Sequence, residues 1–238
     1  MTWSILARDG QGRFGAAIAS RFFAVGALCV HARRGVGILS TQALMNPLYG
    51  PQGLDLLTAG RSPADAIDLL VSADAGRDQR QLHVLPEQGR PAAWTGSACV
   101  DWCGHHLGED FSVAGNMLAG PQVVEATAGA FLATRGMDLA ERLLAALAAG
   151  EAAGGDKRGK QGAALRIQAD EDYAQLDIRV DDHEEPVQEL ERLYRKSLER
   201  YQPFMACLAG RKDPVGITDR AVIEERIARF HRERGGRS

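Results

Sequence analysis

An apolar run at residues 2 to 8 stops at Asp9-Gly10-Gln11-Gly12 and resumes from Arg13 to Arg21, and this pairing constrains the fold more than any other stretch. Turn residues between two strand-like runs predict an antiparallel hairpin whose first strand is buried, so the chain start is held inside a sheet. Closing the turn on Gly10-Gln11 pairs Asp9 with Gly12. That register sets Thr2 opposite Ala19 and brings Arg21 diagonally across from Thr2 on the same face, roughly 7–8 Å away and within reach of an arginine side chain.

Thr2 lies directly behind Met1. Removal of Met1 leaves Thr2 with a free α-amine beside its own hydroxyl, so one residue carries both a nucleophile and the base that activates it. An α-amine with a pKa of about 7.7–8.0 is mostly protonated at pH 7. Burial and a nearby cation such as Arg21 would both favour its neutral, proton-accepting form. Many ordinary chains also begin Met-Thr, so the residues that follow decide between the two readings.

Strand-like runs at 27–32 and 36–42 extend the hairpin into a predicted four-stranded meander, which Asn46-Pro47-Leu48-Tyr49-Gly50-Pro51 interrupts. Helical spacing occupies 52–59, and Ser62-Pro63 opens a second helix as N-cap and first-turn proline. A hairpin at 82–85 and 92–95 and a strand at 111–115 come next, then helices at 123–134 and 138–149. A Gly-rich charged loop at 153–161 precedes a hairpin at 163–168 and 174–180, and helices at 185–201 and 221–234 close the chain. This order predicts one α+β domain over 1–209, two stacked antiparallel sheets with helices on both outer faces, and a charged helical tail at 210–238.

The 238 residues, 45% hydrophobic and 25% charged, suffice for a sizeable core. A net charge of -3 argues against a nucleic-acid partner, which calls for clustered positive charge. No run reaches the ~20 apolar residues that span a bilayer, and Arg8, Asp9, Gln11 and Arg13 interrupt the start before a secretory core forms. The four cysteines, Cys29, Cys99, Cys103 and Cys207, are therefore expected to stay reduced in a cytoplasmic protein without membrane association.

Attack on an amide creates an oxyanion, and Gln42, Asn46, Tyr49 and Asn116 fall at strand ends or in turns where donors could stabilise it or bind substrate. Each could equally cap a turn. Ser20 could hydrogen-bond the amine or merely finish its strand. Asp156, Lys157, Arg158, Lys160 and Gln161 lie among glycines in a loop that is either simply solvated or suited to a carboxylate-bearing substrate, without the Gly-Lys-Ser/Thr ending of a P-loop. Cys99, Cys103, His105 and His106 invite a zinc reading, but structural zinc sites usually combine two such knuckles and the sequence has one. Cys99 or Cys103 beside His105 is a rival nucleophile, although neither sits on an evident activating element. Trp94, Trp102 and the two histidines are expected to line a pocket or pack the core. Asp181-Asp182-His183 before Pro186 reads as a helix start.

Thr2-Trp3-Ser4-Ile5, Ala19-Ser20-Arg21-Phe22-Phe23-Ala24-Val25-Gly26, Thr41-Gln42-Ala43, Asn46-Pro47, Tyr49-Gly50-Pro51, Gly115-Asn116, the loop from Gly154 to Gln161 and Asp181-Asp182-His183 together resemble the bacterial domain-of-unknown-function family 1028. The resemblance runs from Thr2 to about Tyr201. It implies the four-layer αββα fold of N-terminal-nucleophile (Ntn) hydrolases and, with it, amide-bond hydrolysis, but supplies no substrate. Many members of that superfamily expose the nucleophile by cleaving a longer propeptide, whereas here only Met1 precedes Thr2.

The sequence thus points to an amidohydrolase acting on a small amide or ureido substrate, with Thr2, Ser20, Arg21 and Asn116 in the chemistry. Gln42, Asn46, Tyr49, Asp156, Arg158 and Gln161 are the expected substrate-binding residues, and neither cofactor nor metal is called for. A noncatalytic ligand-binding protein that kept the fold is the alternative, and a Cys/His metal protein a third. A homodimer is expected by analogy alone.

Overall fold

The computed structural model describes residues 2–235. Strands β1 (Thr2–Arg8) and β2 (Phe14–Ser20) form the expected hairpin, but its register differs by one residue. Trp3, not Thr2, lies opposite Ala19. The turn is longer than two residues: Asp9 N donates to Arg13 O at 2.9 Å, enclosing Gly10-Gln11-Gly12, and Gly12 takes the left-handed conformation (φ 83°) that a three-residue hairpin loop places at its last position. Because side chains alternate along a strand, this slip exchanges the neighbours of Thr2. Its partner is Ser20, and Arg21 lies one residue beyond the strand.

After β2 the backbone enters a short helix α1 (Val25–Cys29) before strand β3 (Val30–Arg33), where a single strand was expected over 27–32. Strand β4 (Gly37–Ala43) pairs with β3, and helices α2 (Tyr49–Thr58) and α3 (Pro63–Ser72) follow. Ser62 caps α3 as expected, its hydroxyl accepting from Asp65 N. Strands β5 (Arg80–Pro86), β6 (Ala92–Thr95), β7 (Trp102–Leu107) and β8 (Phe111–Leu118) come next, then helices α4 (Pro121–Ala133) and α5 (Leu139–Ala152). Strands β9 (Gly162–Gln168) and β10 (Leu176–Val180) precede helix α6 (Pro186–Ser197). Short helix α7 (Tyr201–Met205) and helix α8 (Arg220–Gly235) complete the described chain.

The first four strands are not one meander. β1 and β2 belong to a six-stranded sheet ordered β10-β9-β2-β1-β8-β7, and β3 and β4 to a four-stranded sheet ordered β3-β4-β5-β6. All named pairings are antiparallel. The sheets face each other through β1, β2 and β8 on one side and β4 and β5 on the other, while α4 and α5 cover the larger sheet and α2 and α3 the smaller. The fold is a four-layer α+β sandwich. Two compact units divide the chain, one ending at Leu190 and the other starting at Glu191. In the second, Arg200 pairs with Glu224 at 2.6 Å.

Composition changes along the layer between the sheets. At one end Leu6, Phe14, Ala16, Ile18, Ile38 and Leu85 form a closed apolar cluster. Continuing the same inward faces toward the start of β1 gives Ser4 and Thr2 on β1, Ser20 on β2, Ser40 and Gln42 on β4, His83 and Gln81 on β5, and Ser112 and Asn116 on β8, all buried. Buried polar groups are costly unless paired, so this half of the layer is held by side-chain hydrogen bonds where the other half is held by apolar packing.

Candidate active site at the polar end of the sandwich

Thr2 opens β1 with 4% of its surface exposed. Its hydroxyl donates to Ser20 Oγ at 3.2 Å, and its carbonyl oxygen faces two side-chain amides, Gln42 Nε2 from the opposite sheet and Asn116 Nδ2 from β8, each at 3.4 Å. Gln81 Oε1 collects both amides, from Gln42 at 2.8 Å and from Asn116 at 2.9 Å, and Gln81 Nε2 donates to Gly115 O at 2.8 Å. The amides therefore have fixed orientations. Asn116 Oδ1 is buried and has no hydrogen-bond partner.

Beneath Thr2, Ser4 Oγ lies 2.7 Å from Gln42 Oε1 and 2.8 Å from His83 Nε2, and His83 Nδ1 lies 2.9 Å from Ser112 Oγ. Gln42 Oε1 can only accept, so Ser4 spends its single proton there. His83 Nε2 then carries the ring proton and donates to Ser4, while Nδ1 accepts from Ser112. Burial, reinforced by neighbouring His105, pushes the His83 imidazole down to about 3, so it stays neutral. It is a fully paired buried base with a structural part, and sequence reading did not single it out. Ser4, Ser40, Gln81 and Ser112 went unnoticed as well. The available signal was polar side chains at every second position on strands whose same face is apolar further along.

A second set of contacts surrounds Arg21. The Asp156 carboxylate, its side chain 2% exposed, accepts from Arg21 N at 2.8 Å, from Arg158 N at 2.9 Å and from Arg158 Nη2 at 3.2 Å. Arg21 Nη1 donates to Arg158 O, and Arg158 Nη2 returns a bond to Arg21 O at 3.2 Å. Leu118 bridges to Asp156, and Lys157 pairs with Asp101 at 2.6 Å. The Gly-rich loop is thereby fastened across the strand ends beside Thr2. Gln161 instead donates to Asp182 at 3.1 Å, and His183 Nδ1 accepts from Glu185 N at 2.9 Å just before α6.

Asn46 and Tyr49 converge elsewhere, on Asp74. Tyr49 Oη donates to Asp74 Oδ2 at 2.8 Å, Asn46 Nδ2 lies 3.3 Å from the same oxygen, and Arg80 Nε at 3.0 Å completes the cluster. The Arg80 guanidinium holds the Asp74 carboxyl well below the usual carboxylate range, and burial together with Asp74 pushes the Tyr49 phenol up. This cluster fastens the 44–48 turn to the start of β5. Cys99 and Cys103 are free thiols, each raised by burial, and Cys103 Sγ donates to Cys99 O at 3.6 Å. The segment expected to line a pocket is strand β7, with His105 Nδ1 3.0 Å from Thr95 Oγ1.

Backbone strain gathers at the same end. The non-glycine residues with left-handed φ among the described residues are Ala24 (51°), Ala43 (68°), Asp101 (56°) and Met117 (52°). Ala24 follows β2, Ala43 ends β4, Asp101 precedes β7, and Met117 stands near the end of β8 where the ladder slips between Trp102 and Gly104. Each costs of order 1–3 kcal/mol, and such residues persist where surrounding structure holds them, often at functional sites.

The model of DUF1028, a family of unknown function, matches residues 2–190, which includes every element that builds this site. The chain belongs to the DUF1028 family. The crystal structure of protein SPO2555 from Silicibacter pomeroyi, a DUF1028 protein, is similar at 32% identity and a TM-score of 0.85, covering 92% of this chain and 96% of that one. Anbu, the ancestral β-subunit from Yersinia bercovieri, aligns at 12% identity and a TM-score of 0.43 over 82% of this chain and 94% of its own. A search of curated proteins finds no match. Among the described residues, no helix is long and apolar enough to cross a membrane, and no group of three or more His, Cys, Asp or Glu residues could hold a metal ion.

Proposed function

We propose that this DUF1028 protein is an N-terminal-nucleophile hydrolase that cleaves an amide-type C–N bond in a small molecule, with Thr2 as nucleophile once Met1 is removed. The observation that carries the reading is the seating of Thr2 at the head of a central strand, its hydroxyl on Ser20 and its carbonyl facing amides from both sheets. Thr2 Oγ1 adds to the substrate carbonyl carbon while its proton passes to the α-amine. The C–N bond breaks as the ammonium returns that proton to the leaving nitrogen, and water then hydrolyses the threonyl ester.

Ser20 orients the Thr2 hydroxyl. Gln42 and Asn116 are positioning residues that fix the Thr2 backbone, and the unpartnered Asn116 Oδ1 offers the ammonium an acceptor. Arg21 and Arg158, fixed by Asp156, present two guanidinium groups at this end for a carboxylate-bearing amide or ureido substrate. Noncatalytic ligand binding is the second reading, and the 4% exposure of Thr2 speaks for it. The test is a screen of acyl-amide and ureido compounds with wild-type protein and Thr2→Ala. Turnover by wild type and none by a folded Thr2→Ala supports the proposal. Equal turnover in both, or binding without turnover, overturns it.

A further inference from the structure

The opposite end of the larger sheet holds a cleft of about 560 Å³ among the β1–β2 turn, the β7–β8 turn and the α4–α5 junction. Of the arginines that line the cleft, Arg8 is spent on a carboxylate. Arg8 meets Asp110 at 2.9 Å, and Arg13 meets Asp9 at 2.7 Å beside it. Arg135 and Arg142 also line the cleft, yet among the described residues no ion pair within 4.0 Å engages either one. Burial, with Arg135 nearby, disfavours the charged form of Arg142, while Asp9 and Asp110 offset part of that effect.

Arg142 is also oriented in advance. Its Cζ lies 3.8 Å over the centre of the Phe131 ring, and its Nη2 donates to Phe131 O at 3.1 Å, covering a carbonyl at the α4 C-terminus that would otherwise repel an anion. Its Nε is buried without a hydrogen-bond partner. Keeping two like charges together while one leaves a donor unsatisfied costs stability unless something else completes the set. Of the acids lining the cleft, Asp9 and Asp110 are committed, and exposed Glu109 is left over. The lining side chains carry three cations, Arg8, Arg135 and Arg142, and three acids, Asp9, Glu109 and Asp110, so the cleft is neutral as a whole and its positive charge is local to Arg135 and Arg142. Exposed Leu132 adds an apolar wall.

We propose that this cleft binds a carboxylate on a small apolar body, the carboxylate meeting Arg135 and Arg142 and the body lying against Leu132. The site is separate from Thr2 and does not depend on the activity proposed there. Calorimetric titration of the full chain at low salt uses benzoate and inorganic phosphate as probes against wild type, Arg135→Gln, Arg142→Gln and Arg21→Gln. Benzoate is expected to bind saturably and more tightly than phosphate. Its affinity should fall at least about tenfold in Arg135→Gln, as for one charge-assisted hydrogen bond, and stay unchanged in Arg21→Gln. Arg135 is exposed, so its variant remains informative even if Arg142→Gln, which unties α4 from α5, fails to fold. Absence of saturable benzoate binding, binding indifferent to Arg135→Gln, binding lost in Arg21→Gln instead, or tighter phosphate binding would each overturn the assignment.

Discussion

Neutral His83 in the polar layer makes folding stability depend on acid in a way that can be assigned to one residue. The imidazole is 0% exposed and held between Ser4 and Ser112, with its folded pKa pushed down to about 3 from an ordinary value of 6.5. Between those values the unfolded chain takes up a proton that the folded protein refuses, so stability from this group is complete above pH 6.5 and is lost as pH falls toward 3. Each pH unit in that window is worth about 1.4 kcal/mol, for a total of roughly 4–5 kcal/mol, a large share of a typical domain's 5–15 kcal/mol. Urea unfolding of wild type and His83→Gln at pH 7.5, 6, 5 and 4 measures it directly. Glutamine keeps a donor toward Ser4 and does not titrate. The wild-type stability should fall more steeply by about 1.4 kcal/mol per unit between pH 6 and 4, while His31 and His105, also lowered by burial, contribute to both proteins alike. Equal slopes would refute the neutral, network-bound histidine.

Three other perturbations follow from the packing. A Cβ at Gly150 would lie 2.3 Å from Thr127 Oγ1 and 2.6 Å from Trp3 Nε1, so Gly150→Ala should cost about 1–3 kcal/mol and lower the thermal midpoint by pushing α5 off β1. Asp156→Asn removes the charge that organises Arg21 and Arg158. It should cost about 1.5–3 kcal/mol and speed amide hydrogen exchange over residues 155–161 with little change in the core strands. Tyr49→Phe leaves one Asp74 oxygen with fewer donors and should destabilise by about 1–3 kcal/mol in urea titration, without changing the position of Thr2 in a structure of the variant.

The layered architecture was legible because strand and helix periodicities are strong where apolar side chains meet a core. Ser62-Pro63 and the 92–95 hairpin strand fell where local chemistry put them. The turn at Asp9 was misread by one residue because Gly10 and Gly12 both suit a tight turn, and only the ladder decides which is left-handed. That slip replaced Arg21 with Ser20 as the neighbour of Thr2. Strand β7 was missed because Cys103, His105 and His106 look like ligands, and exposure on a sheet edge removes the apolar alternation that marks a strand. Thr2, Gln42 and Asn116 come together as candidate-site residues, whereas Asn46 and Tyr49 meet at Asp74, a grouping that depends on contacts remote in sequence. The assignment of the Cα register cannot be read from composition, and neither can a polar layer built from five different strands.

The claim on which the functional account depends is that Thr2 becomes a terminal, reactive residue. Purified protein treated with an acylating β-lactone, digested and mapped by mass spectrometry examines both properties in one N-terminal peptide. The account predicts a peptide that begins at Thr2 and carries the acyl group on that residue. A peptide that keeps Met1, or an acyl group found on Cys99, Cys103 or another side chain with Thr2 unmodified, would contradict it.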